Sequence, residues 1–352
     1  MKKLIYSVMA LGLAFTASAQ NTEKQMATLQ HGEQTLVFYG VNAFRDAYNA
    51  AADTLDVITL SSGTFSAPGT ISKSIAVYGA GFEKDEATGI EPTRLNGELY
   101  LVPADGVNED GYTVKAEKKV NGVHIEGLYF DNALYFYDND GTPIHNLTMA
   151  KCYCPYLYFS VDSYDCVVRQ SIIGGFYSEG PHIANNLLLT NCYCFNYTAN
   201  YNGYFNLGTF DRSSTILVDH CILSSGIPGP FRYTNNIMYF GTTSGAIYSN
   251  NVFVGNDTTA QDDNGNWKGV TNAALWAAEG EDGSYEASKT FELKYPGRYV
   301  GTDGTQIGLH GGTYAWNKIP AIPRITEYEI DIHDVENGKL KVSIKAEAQK
   351  KE

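Results

Sequence analysis

The sequence predicts an all-β fold in which short strands wind into stacked coils, and three observations predict it. The composition, with 35 Gly and 26 Tyr in 352 residues, is that of strands separated by tight turns rather than of long helices. One eight-residue block recurs six times between Val123 and Phe253 with the same apolar positions. Every cysteine falls on a position of that block that faces inward.

Taken in order, Lys2 and Lys3 precede an apolar stretch from Leu4 to Phe15 and the small residues Thr16 to Ala19. Residues 1–19 therefore read as a cleavable secretory signal, with Ala17 and Ala19 placed for cleavage before Gln20. The stretch is too short to span a bilayer comfortably, no Cys follows the cleavage point, and no long apolar run appears later. The expectation is a secreted chain, periplasmic, on the outer surface or extracellular, with no membrane span. A formal net charge of −14 opposes a nucleic-acid partner, which needs a basic surface. It also repels an anionic polysaccharide on average, leaving a local basic cluster or a bridging divalent cation as the route to one.

Asn42 to Ala52 reads as an amphipathic helix, with Ala43, Phe44, Ala47, Tyr48 and Ala51 on one side and Asn42 as N-cap. Strands follow over Asp56 to Phe65, with a Gly turn, and over Ile71 to Tyr78. A short helix before the first coil would cover an open apolar end.

The blocks are VHIEGLYF from Val123, LTMAKCYC from Leu147, CVVRQSII from Cys166, LLLTNCYC from Leu187, ILVDHCIL from Ile216 and AIYSNNVF from Ala246. Positions one, three, six and eight are mostly apolar or small, and four and five are usually polar. That suits two short strands joined by a bend, stacked coil on coil at roughly 4.8 Å in a parallel β-helix. Cys152, Cys192 and Cys221 occupy position six, Cys154 and Cys194 position eight, and Cys166 position one. A buried column of free thiols is favoured over a disulfide between adjacent coils, and no His or carboxylate accompanies the Cys-x-Cys pairs to suggest metal.

The stretch from Asn256 to Gly283 reads as an Asp/Asn/Gly-rich loop in which Trp267 and Trp276 suggest some packing. Gly301 to Gly312 reads as a closing, turn-rich segment. Residues 325–352 alternate as a short hairpin turning at Asn337-Gly338, with a frayed end. The β-helix domain is thus expected over 20–324.

Three pieces resemble the pectin lyase-like right-handed parallel β-helix superfamily: DTLDVITLSSGTFSAPGTISKSIAVYGAG from Asp53, the repeated blocks, and GTDGTQIGLHGG from Gly301. The last is similar to the closing segment of secreted Bacteroidetes β-helix proteins. The resemblance covers most of the mature chain and implies a single-stranded right-handed parallel β-helix with a short N-terminal capping helix. It is specific for fold and not for activity, because the superfamily includes lyases, hydrolases, esterases, adhesins and proteins without known activity.

Val218-Asp219-His220-Cys221 resembles the Trp-Ile-Asp-His stretch of pectate lyases, without the tryptophan, and the likeness implies a calcium-binding role for Asp219. A lyase acting on uronic acids needs a base and a cation at the sugar carboxylate. Arg169, at position four like Asp219 but two blocks earlier, is the cation, and Lys151 and His182 could share the face. The bland alternative is a solvated bend. Polygalacturonase motifs and a Gly-x-Ser-x-Gly turn are absent, Asp262-Asp263 sits in a loop, and His310 reads as structural. No cofactor is expected, or calcium if the chain is a lyase. Exposed aromatics, among Tyr197, Tyr201, Tyr204 and Phe205 or along Tyr153 to Phe159, could instead stack on sugar rings. The leading expectation is therefore non-catalytic binding of a polysaccharide or cell-surface glycan. Polysaccharide lyase activity by β-elimination is the alternative, and a structural or adhesive surface module a further one.

Overall fold

The computed structural model describes residues 25–52, 56–107, 110, 112–116, 122–195, 210–224, 231–255, 264–321, 324–331 and 341–347. The signal read over 1–19, the cluster Tyr197, Tyr201, Tyr204 and Phe205, the Asp262-Asp263 pair, the Asn337-Gly338 turn and the frayed end lie outside the described residues. Among the described residues no helix is long and apolar enough to cross a membrane.

The chain is mostly β, and its strands gather into an eleven-stranded first sheet, a ten-stranded second, a five-stranded third and a three-stranded fourth. One coil shows the path. Val123–Glu126 lies in the first sheet, Tyr129–Phe130 in the second, Leu134–Phe136 in the third and Ile144–His145 in the fourth. Leu147–Ala150 then returns to the first sheet and pairs in parallel with Val123–Glu126, Val123 opposite Leu147. Stacked coils of this kind are what the blocks predict, and the long parallel sheets are compatible with a β-helix.

Within each block, positions up to four form the first-sheet strand and positions seven and eight the second-sheet strand. Position five is left-handed in all seven blocks: φ is 75° at Gly127, 50° at Lys151 and Gln170, 51° at Asn191, 52° at His220, 62° at Asn235 and 53° at Asn250. That single residue turns the chain between sheets while keeping both strands' inner faces inward, and Asn tolerates the conformation best among non-glycine residues. Position six points into the core. There Cys221 N–H donates to Asn236 Oδ1 at 2.7 Å and Asn236 N–H to Asn251 Oδ1 at 2.9 Å, so the buried amides are satisfied coil to coil. All six cysteines are free and buried.

Four features differ from the sequence reading. A seventh block, Phe231 to Met238, supplies the strands Phe231–Thr234 and Ile237–Met238; its Arg232 and Tyr233 obscure the apolar rhythm. An antiparallel pair, Met26–His31 with Gln34–Tyr39, extends the first sheet ahead of the first coil. The strand expected over Ile71 to Tyr78 divides into Thr70–Ile71 in the third sheet and Ala76–Tyr78 in the first. Position seven faces outward yet is buried in the later coils: Ile172, Ile222, Ile237 and Val252 pack under Leu275, Trp276, Phe291, Leu293, Tyr299, Ile307 and Leu309. Covering each such aliphatic side chain is worth about 1.5–3 kcal/mol.

Helix α1 (Ala43–Ala50) packs on the strands Met26–His31, Gln34–Tyr39, Val57–Leu60 and Gly63–Ser66, with Ala43, Phe44, Ala47 and Tyr48 buried as predicted. Asn42 stands at the N-cap position without a side-chain cap bond. At the other end Lys73 Nζ donates to the carbonyls of Tyr48 and Ala51, at 2.7 and 2.6 Å, which complements the helix dipole. Arg324–Asp331 and Lys341–Glu347 form an antiparallel pair, as the alternation of the tail predicts.

Candidate functional site

Position-five side chains line the seam between the first and second sheets, and the segment 300–321 lies along it as a strap, running opposite to the order of the coils. Asn250 Nδ2 donates to the Val300 carbonyl at 3.2 Å, and Asn235 exchanges bonds with Thr302 at 3.2 and 2.8 Å. Asn191 Nδ2 donates to the carbonyls of Leu309 and Gly311, both at 2.8 Å. Gln170 Nε2 reaches Ala315 O and Lys151 Nζ reaches Ile319 O, each at 2.6 Å. At Gly127 the strap comes so close that a Cβ would fall 2.6 Å from Pro320 Cγ, so space requires glycine there, whereas the same left-handed position takes larger residues in the later coils.

The three residues the sequence nominates all sit on this seam. Arg169 is opposite Thr190, and Thr190 opposite Asp219, which sets the first and last about 10 Å apart along the coil axis. The Arg169 guanidinium lies over the Tyr314 ring at 5.0 Å and donates to Gln170 Oε1 at 3.2 Å. Lys151, its side chain 6% exposed, is 3.5 Å from Glu126 Oε1 besides its bond to Ile319. Asp219 holds His220 Nδ1 at 2.9 Å through one oxygen and accepts from Asn235 Nδ2 at 2.9 Å through the other. The seam therefore brings the trio onto one line but commits each member to the strap or to a neighbour beneath it. His182 lies away from them, 3.7 Å from Asp162, and His310 Nε2 is 2.6 Å from the Thr290 carbonyl.

Calcium seeks six to eight oxygen ligands. Both Asp219 oxygens face N–H donors, and among the described residues no group of three or more His, Cys, Asp or Glu side chains could hold a metal. The residues present do not fit that ion.

Asp219, His220 and Thr305 are connected like an acid, a base and a hydroxyl, since His220 Nε2 is 3.2 Å from Thr305 Oγ1. The hydroxyl, however, accepts from Gly312 N–H at 2.7 Å and contacts Asp303 at 2.9 Å, and His220 is completely buried. The cluster is built to hold the strap, not to present a nucleophile. Burial works to raise the Asp303 carboxyl, but bonds from Thr305 and the neighbouring His220 outweigh it and keep it below the usual range. At the far end of the strap, burial opposes ionisation of Glu126. His124, the Ala321 N–H at 2.7 Å and the Lys151 charge overcome that and hold its pKa low.

A second arrangement stands on the outer face of the third sheet. Register places Tyr100 opposite Tyr135, Tyr135 opposite Tyr158 and Tyr158 opposite Tyr177, one tyrosine per coil. Ring centroids are 4.6, 5.2 and 4.5 Å apart along the row. Tyr137 meets Tyr100 edge-on at 5.6 Å. All are partly exposed, while the flanking Leu99, Leu101, Leu134, Phe136, Leu157 and Phe159 are buried. Tyr100 Oη donates to Glu98 at 2.7 Å, and that bond pushes its pKa up to about 12. Burial, followed by the Glu179 charge, raises Tyr158 further. The row spans about 14 Å at the coil spacing.

Of these tyrosines only Tyr158 falls inside the aromatic cluster the sequence reading singled out. The signal for the others was present as a recurring tripeptide with tyrosine in the middle: Leu99-Tyr100-Leu101, Leu134-Tyr135-Phe136, Leu157-Tyr158-Phe159 and Phe176-Tyr177-Ser178. In the same Tyr153 to Phe159 stretch, Tyr153 instead stacks on Tyr129 at 4.3 Å, on the second sheet. Comparisons with protein families, curated proteins and solved structures return no match.

Proposed function

We propose that this chain is an exported, non-catalytic carbohydrate-binding protein that docks an extended polysaccharide or cell-surface glycan along the tyrosine row. The scaffold is read as a right-handed parallel β-helix of the pectin lyase-like kind, with α1 closing its leading end; right-handedness follows the strong rule for parallel crossovers. The observation that carries the functional reading is the register of Tyr100, Tyr135, Tyr158 and Tyr177, which sets one phenol per coil on a partly exposed face.

Tyrosine pairs an apolar ring with a polar edge, and both are what a sugar presents: C–H groups on a ring face and hydroxyls around it. The rings in the row largely cover one another's faces, so the edges and hydroxyls, together with the outer faces of Tyr100 and Tyr177, meet the ligand. Tyr100 and Tyr158 are held protonated at any ordinary pH, and because Tyr100 gives its proton to Glu98, its oxygen is left to accept from a sugar hydroxyl. A structural row would need only the ring stacking. Affinity gel electrophoresis of the mature protein in soluble polysaccharides tests the reading. Retardation should vanish in Tyr135→Ala/Tyr158→Ala and weaken in the corresponding Phe double variant, which keeps the stacking. Retardation unchanged in both would place binding elsewhere and sink the assignment.

A further inference from the structure

We infer that the tyrosine row selects uncharged glycans and rejects those bearing uronate or sulfate groups. This deepens the carbohydrate-binding reading and rests on it. Carboxylates stand at both ends of the row. Glu98, exposed, accepts from Tyr100 on its first coil; Glu179, also exposed, directly follows the strand Phe176–Ser178 on its last coil and acts on Tyr158. Tyr100 and Tyr158 are thus each set near an acceptor with negative charge. A neutral sugar suits these ends, its hydroxyls donating to the carboxylates and to the Tyr100 oxygen, whose own proton is given to Glu98. A sugar carboxylate or sulfate has no proton to give to Glu98 or Glu179 and meets their charge instead, under a net charge of −14 for the whole chain. Among the described residues, Lys151 and Arg169 are held at the seam by Ile319 and Tyr314, and Arg94 is paired with Asp131 at 2.6 Å.

The test is affinity electrophoresis of the mature protein in a neutral β-glucan, in a neutral mannan and in polygalacturonate, at low and at high salt. We expect retardation by at least one neutral polymer, independent of salt, and roughly tenfold weaker or no retardation by polygalacturonate. Replacing the two carboxylates, Glu98→Gln with Glu179→Gln, should strengthen polygalacturonate binding severalfold at low salt, where charge repulsion is least screened. Polygalacturonate binding as tight as the neutral polymer and lost in Tyr135→Ala/Tyr158→Ala would overturn the selectivity while leaving the glycan reading intact. So would a Gln double variant no better at binding polygalacturonate than the parent. No retardation by any polymer would overturn the glycan reading and the selectivity with it.

Discussion

Lys151 Nζ donates to the carbonyl oxygen of Ile319 at 2.6 Å, joining residues 168 positions apart in the chain. Beneath that bond lies the buried Glu126 carboxylate, so the end of the strap closes over an ion pair.

Removing one partner of a buried pair strands the other. Lys151→Ala should lower stability by about 3–5 kcal/mol, and adding Glu126→Gln should recover part of the loss. Thermal denaturation of the two single variants and the double closes the cycle. An unaltered midpoint in Lys151→Ala would mean that the strap end contributes nothing.

The middle of the strap is held by shape as well as by hydrogen bonds. A Cβ at Gly311 would collide with the Gln306 carbonyl oxygen and the His220 ring. Gly311→Ala should therefore free the strap from Asn191 and expose 300–321 to limited proteolysis ahead of the coils, with cleavage sites read by mass spectrometry. A digestion pattern identical to the parent's would argue against it.

Acid should weaken the same anchor. Because the folded-state pKa of Glu126 is depressed, the stability it contributes is present above the ordinary carboxylate range, near pH 4, and is lost as pH falls through the depressed value. The stability gap between the parent and Glu126→Gln should shrink on acidification. A gap that is constant from neutral pH to pH of about 3 contradicts this.

The thiols should be inert in the native state. Burial pushes Cys154 and Cys166 up to about 12, and Cys192 and Cys221 rise well above the ordinary value for the same reason. A thiol reagent added to native protein should find none of the six, and all six after denaturation. Rapid native labelling of any of them would show that the core column opens.

With Arg169, Asp219 and Lys151 committed along the strapped seam, uronic-acid polysaccharides should yield no unsaturated products by ultraviolet absorbance, with or without calcium. A calcium-dependent rise that Asp219→Ala abolishes would restore the lyase reading.

Much of the architecture was legible because a coil repeats its own chemistry. Positions one, three, six and eight of the block announce the inner faces, the placement of Cys152, Cys192 and Cys221 marks a core column, and Ala43, Phe44, Ala47 and Tyr48 mark the buried side of α1. Local periodicity of this kind is a property of neighbours in the chain, so the sequence by itself determined the strands, the bend and which side of each strand faces the core. It also put Arg169 and Asp219 on one line, because register follows from the repeat. What only the tertiary structure decided is what covers the outside. That segment 300–321 returns along the seam to engage Lys151, Gln170, Asn191 and Asn235 is a pairing of distant stretches with no shared period. It turns candidate chemistry into strap anchors. The same holds for Ile172, Ile222 and Ile237, outward by alternation yet buried under Leu275, Trp276 and Phe291. The tyrosine row lies between the two cases. Its tripeptides repeat in the sequence, but coils of unequal length hide their alignment until backbone hydrogen bonds between successive coils set Tyr100, Tyr135, Tyr158 and Tyr177 one above another.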